Sequence, residues 1–139
     1  MIVLDTNIIS EITKSAPDRN VLEWFAGSPE GDIYLCDTVL MEQSYGAERF
    51  WLKAGSRRYY ETFERLLVVY NGRVLPFDRG ASIETGKLRA RRENIGRPIS
   101  LQDAMIAATC LAHGATLATR NVKDFEGLDL RLVNPFEGA

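Results

Sequence analysis

Five short apolar runs, separated by longer amphipathic stretches, constrain the fold of this chain most. The runs fall at 2–4, 33–35, 73–75, 116–118 and 131–133, and helical periodicity covers 6–14, 18–27, 38–53, 56–69, 78–94 and 101–113. Strands that alternate with helices pair in parallel, because a parallel neighbour is reached only through a crossover. Those same helices then cover both faces of the sheet. The expectation is an α/β protein with a mostly parallel sheet between helical layers. Turn chemistry supports the cuts. Gly31-Asp32 and Asn71-Gly72 precede strands, Pro76 closes one, Gly96-Arg97-Pro98 parts two helices, and Gly114 is placed to cap a helix C-terminus. With 139 residues, no internal repeat and no linker, a single domain over 1–139 is expected.

Composition narrows the function. A hydrophobic content of 45% supports a filled core. No apolar stretch approaches the roughly 20 residues of a membrane span, and no basic segment precedes the first short run, so a cytoplasmic location is expected. Cys36 and Cys110 lie far apart in apolar surroundings and form no zinc pattern, which makes them buried thiols. The net charge of −2, from 17 basic and 19 acidic side chains, excludes bulk electrostatics as a means of holding nucleic acid. A local basic patch, a bound metal or a basic partner would have to supply the attraction.

The chemistry-bearing residues cluster at the ends of the runs. Ile2-Val3-Leu4 ends abruptly in Asp5-Thr6-Asn7. A strand that delivers a carboxylate at its carboxyl end presents charge at the lip of a parallel sheet. Asp5 reads equally as the N-cap of the next helix, and the two roles are compatible. Glu42 follows the second strand within an early helical turn, where the helix dipole alone would favour a glutamate. Asp103 closes the capping-box pattern Ser100-Leu101-Gln102-Asp103, ahead of a helix of small and apolar residues in which an unpaired carboxylate is costly. Asn121 and Asp124 follow the fourth strand, as a polar turn or as part of the same lip.

Singly, each residue has a structural explanation. Parallel strand ends share one edge, however, so Asp5, Glu42 and Asn121 or Asp124 converge by topology, and Asp103 joins them if its helix starts on that side. Carboxylates so gathered repel one another and take up protons unless a cation intervenes. An all-oxygen set suits Mg²⁺ or Mn²⁺. The conjunction points to metal-dependent phosphodiester cleavage.

At these residues the chain resembles the PIN-domain nucleases, and within them the VapC-type toxins of bacterial toxin–antitoxin pairs, in the FitB-like branch. The matching stretches are Ile2–Glu11 (IVLDTNIISE), Arg73–Asp78 (RVLPFD), Arg97–Ala107 (RPISLQDAMIA) and Ala112–Phe136 (AHGATLATRNVKDFEGLDLRLVNPF). The resemblance implies a PIN-like three-layer α/β/α fold with five parallel strands in the order 3-2-1-4-5. It also implies Mg²⁺ or Mn²⁺ dependence, with Asp5, Glu42 and Asp103 as metal ligands. The family's frequent fourth acid falls on Asn121, a departure that Asp124 can make good. RNA is the implied substrate. The implied partners are a second copy of the chain and a small DNA-binding antitoxin of the VapB or FitA kind, whose C-terminal segment wraps this protein and sends a basic side chain into the acid pocket.

Other features fit this frame loosely. Arg120 lies beside the proposed site, where it could clamp the scissile phosphate. Lys87, Arg89, Arg91 and Arg92 share one helix, either as a solvated face with an Arg89–Glu93 pair or as contacts to RNA phosphates. Trp24, Phe25, Tyr45, Phe50, Trp51, Tyr59 and Tyr60 are expected chiefly in helix packing, with some at an interface. His113, the only histidine, is expected to meet carbonyls at a helix C-terminus. Its isolation argues against a Ser-His-Asp mechanism, and no phosphate-binding glycine loop is present. Two alternatives to the endoribonuclease stand. One is a PIN-fold RNA- or partner-binding protein with a weakened or inactive metal site. The other is an aspartyl-phosphate phosphatase, weakened by Asn rather than Asp at position 7.

Overall fold

The structure is a computed structural model and describes residues 1–138, so the last residue of the expected 1–139 domain lies outside the described residues. The chain runs β1 (Ile2–Leu4), α1 (Thr6–Ile12), α2 (Arg19–Ala26), β2 (Ile33–Cys36), α3 (Asp37–Ala54), α4 (Arg58–Val69), β3 (Val74–Leu75), α5 (Arg79–Asn94), α6 (Leu101–His113), β4 (Thr116–Ala118), α7 (Val122–Phe125) and β5 (Leu132–Val133). All four neighbouring strand pairs are parallel, and the order is β3-β2-β1-β4-β5, as expected. Successive strand side chains point to opposite faces. Val3 and Leu4 in β1, Leu35 and Cys36 in β2, and Leu117 and Ala118 in β4 are all fully buried, so helices cover the sheet on both sides. No helix among the described residues is long and apolar enough to cross a membrane.

The register positions the lip. Leu4 pairs with Ala118, which sets Asp5 beside Thr119 as the two central strands end. The Asp5 N–H extends the ladder by donating to the Ala118 carbonyl (2.9 Å). Most boundaries fall within a residue or two of the expected ones, and the two that shift at helix ends by two residues do so for local reasons. Helix α1 stops at Ile12 rather than 14, with the Thr13 hydroxyl turned back to donate to the Ile9 carbonyl (2.8 Å). Helix α4 begins at Arg58 rather than 56, because Ser56 Oγ accepts from the Arg58 N–H (3.2 Å). Arg73 drops out of β3, although its carbonyl still accepts from the Leu35 N–H.

Helix α6 is built as its sequence predicts. Ser100 Oγ accepts from the Asp103 N–H (3.1 Å), and Gly114 ends the helix at φ 68°. Glycine, lacking a Cβ, adopts that left-handed conformation at least cost. Ser100→Ala should cost about 1 kcal/mol, read as a lower urea midpoint at unchanged slope.

Candidate active site

Asp5 is the N-cap of α1 and also the most buried of the candidate acids, at 5% exposure. Its Oδ1 accepts from the Thr6 N–H (2.8 Å), and its Oδ2 accepts from the Thr119 hydroxyl (2.8 Å) and from Asn7 Nδ2 (3.1 Å). Glu42, in the second turn of α3, is tied to the same residue: the Thr6 hydroxyl donates to Glu42 Oε1 (2.6 Å). Thr6 thus holds Asp5 with its backbone and Glu42 with its side chain. Thr119, fully buried at the end of β4, also accepts from the Asn121 N–H (3.0 Å). Asn7 Oδ1 accepts from the Arg120 N–H (3.1 Å). These bonds tie the lip of β1 to the lip of β4.

The electrostatics follow from this packing. Burial pushes the Asp5 carboxyl above its usual range, opposed by Thr119, Thr6 and Asn7, and the nearby Asp124 pushes it further. Burial likewise raises Glu42, with the charges of Asp5 and Asp103 adding to it. Burial raises Asp103, aided by Asp5 and Asp124 and opposed by the Ser100 hydroxyl. The structure therefore links the four acids electrostatically: Asp5 and Asp103 act on Glu42, and Asp124 acts on Asp5 and Asp103. None of the four takes part in an ion pair among the described residues. As the side chains lie, no three Asp, Glu, His or Cys groups among those residues close on a single ion position. Asp5 and Glu42 are instead engaged with their hydroxyl and amide donors. The donor set is still hard, anionic and uncompensated, which is the chemistry a divalent cation takes.

The remaining candidates occupy definite places. Asn121 is the exposed N-cap residue of α7 but makes no side-chain cap bond. Arg120 is exposed, with its guanidinium 4.4 Å from the centre of the Phe136 ring. The basic cluster on α5 is divided. Lys87, Arg89 and Arg91 are exposed, whereas Arg92 is buried, donating to the carbonyls of Arg97 (2.7 Å) and Asp124 (3.1 Å). Arg92 therefore anchors α7 to α5 rather than joining a solvated face. The ion pair on this helix is Arg91–Glu84 (3.5 Å), not Arg89–Glu93. His113 also departs from expectation: its Nε2 lies 3.3 Å from Asp78 Oδ2, at the N-cap of α5. The aromatic residues are less buried than expected. Trp24 and Phe25 pack on the core, but Tyr45, Trp51 and Tyr59 are exposed. Both cysteines are free and buried, and burial pushes the Cys36 thiol up to about 12.

The PIN domain profile matches residues 2–129. The VapC ribonuclease Y4jK of Sinorhizobium fredii is 41% identical over 142 residues, covering 100% of both chains. The chain belongs to the PIN-domain nucleases, on their VapC-type toxin branch. The toxin FitB of Neisseria gonorrhoeae is 31% identical over 98% of this chain and 99% of its own. The structure of FitAB bound to an IR36 DNA fragment superposes with a TM-score of 0.88 at 31% identity, covering 100% of this chain and 98% of that one. Within this PIN domain, three side chains that hold the acids lie outside the set expected from sequence, namely Thr6, Asn7 and Thr119. Thr119 had a visible signal, since the residue after β4 must sit beside the residue after β1 once the two strands pair in register. Thr6 had none, because its bond to Glu42 depends on how α3 packs.

Proposed function

We propose that this PIN-domain protein is a Mg²⁺- or Mn²⁺-dependent endoribonuclease, a single domain over 1–139, and the toxin of a toxin–antitoxin module. One observation carries the reading: a buried Asp5 carboxylate within Coulombic reach of Glu42, Asp103 and Asp124, with no cationic side chain paired to any of them. Asp5, Glu42 and Asp103 would hold the cation. When bound, it would offset phosphate charge and make water a stronger nucleophile at neutral pH. The protein's own contribution is positioning. Thr6, Thr119 and Asn7 orient Asp5 through donors that favour its ionised form. Asp124, or Asn121 as a neutral hydrogen-bonding group, completes the polar lip, and the exposed Arg120 contacts the scissile phosphate.

The unpaired acids also support a partner. FitAB has been solved on a DNA fragment; by that likeness this toxin would work with a cognate antitoxin that binds DNA, and it would form a homodimer. A basic side chain from such an antitoxin would neutralise the acid cluster and block it.

Incubation of total RNA with the purified chain tests the enzyme. Cleavage should require Mg²⁺ or Mn²⁺, stop with EDTA, and return when Mn²⁺ is restored in excess. Cleavage that persists in EDTA would refute the metal assignment. RNA binding without cleavage under either ion would favour the inactive-site alternative, which the neutral Asn121 makes worth testing.

A further inference from the structure

The acid cluster creates a difficulty for its own substrate. Single-stranded RNA brings a negative charge with every nucleotide to a lip of carboxylates, on a chain whose net charge is −2. Cations are needed beside the acids, together with flat side chains on which unpaired bases stack. One crevice, of about 420 Å³, borders the site at Thr6 and Glu42, lies among α1, α3 and α4, and takes in Lys14, Arg58 and Tyr59. Arg58 joins no ion pair among the described residues, and its guanidinium lies 5.5 Å from the centre of the Tyr59 ring. Tyr59 is 45% exposed, and Phe50 backs it edge-on with ring centres 4.8 Å apart. An exposed ring braced by a second aromatic, with an unpaired guanidinium over it, offers a flat cation–π platform on which a base can stack and a charge that can bind the adjoining phosphate. Serine and threonine hydroxyls line the walls and suit sugar and phosphate oxygens.

We propose that this crevice binds the single-stranded RNA flanking the scissile phosphate, with Tyr59 stacking on a base and Arg58 contacting the backbone. The assignment rests on the nuclease reading for its substrate, so its test measures binding apart from cleavage. The probe is a short fluorescein-labelled RNA of mixed sequence, followed by anisotropy against the full-length chain carrying Asp103→Asn, with Mg²⁺, across a salt series. Tyr59→Leu should weaken binding roughly 5- to 150-fold with the salt slope unchanged, and Tyr59→Phe should restore it. Arg58→Ala should weaken binding and make the slope of log affinity against log salt shallower by about 0.7, while Arg58→Lys keeps the slope. Arg19→Ala, on the far more exposed Arg19–Glu23 pair of α2, should bind as the parent does. Thermal melts matching the parent would exclude unfolding as the cause. Parent-like RNA binding by both Tyr59→Leu and Arg58→Ala would overturn the proposal. So would parent-like RNA binding with loss of a co-expressed antitoxin, which would make the crevice a protein site. If the unsubstituted chain proves unable to cut RNA while the binding losses hold, the crevice stands and only the nuclease reading fails.

Discussion

Asp5→Asn and Asp103→Asn should each lower RNA cleavage at least ~100-fold, while Thr6→Val should lower it roughly 10- to 100-fold. The ordering follows from geometry. On the proposed mechanism the two aspartates would supply charge to the cation, whereas Thr6 only fixes where Asp5 and Glu42 stand, through its N–H and its hydroxyl. Thr6→Ser retains both donors and should retain most activity. The two aspartate variants separate on stability. Asp103 is half-buried, and burial together with Asp5 and Asp124 disfavours its charge, so its asparagine variant should melt in EDTA at or above the parent temperature. Asp5 accepts from three donors, and an asparagine amide would set its own NH₂ against one of them. Asp5→Asn should therefore melt somewhat lower in EDTA. Undiminished cleavage by both aspartate variants would remove these acids from the mechanism.

The contrast between legible and hidden features has a physical basis. Strand β1 and its carboxylate could be read directly, because a strand buried on both faces leaves a continuous apolar run and its end is marked by the first polar residue. Helix α6 was equally plain, since Ser100 and Gly114 act locally at its two ends. The strand order and the joining of Asp103 to the other acids came from family resemblance rather than periodicity, because crossovers leave no local trace. Arg92 was misassigned by composition, although spacing held the correction. Ala81, Thr85, Leu88 and Arg92 follow one another by four, three and four residues, the repeat of a single helical stripe, and all four are buried. A charge on that stripe had to find acceptors, and the carbonyls of Arg97 and Asp124 provide them. The exposed Tyr59 beside Arg58 was beyond sequence reasoning. An aromatic residue on an amphipathic helix gives no sign of whether a neighbouring helix covers it.

The acids proposed to serve catalysis should make stability depend on pH and on divalent ions together. In the metal-free chain Asp5, Glu42 and Asp103 all titrate above their ordinary values of 3.8, 4.5 and 3.8. The folded state then binds protons more tightly than the unfolded chain. The contribution of these groups is fully present below the ordinary values and is lost as pH rises through the raised ones. Glu11 acts in the opposite sense, its carboxyl lowered chiefly by its hydrogen bond from Lys14. Melting temperature in EDTA should accordingly be higher in mild acid than the three acids allow at neutral pH, and Asp103→Asn should flatten that fall. A cation bound by the ionised carboxylates reverses the trend, because it competes with protons for the same oxygens. At a hundredfold excess over its dissociation constant, Mn²⁺ should stabilise the chain by about 2.7 kcal/mol at neutral pH, roughly 5–10 °C in melting temperature, and by much less in mild acid. Differential scanning fluorimetry across pH, with and without Mn²⁺, measures both effects in a chain that need not cut anything. An equal Mn²⁺ shift in the parent and in Asp103→Asn would place the ion elsewhere, because only a cation held among these carboxylates links its own affinity to their protons.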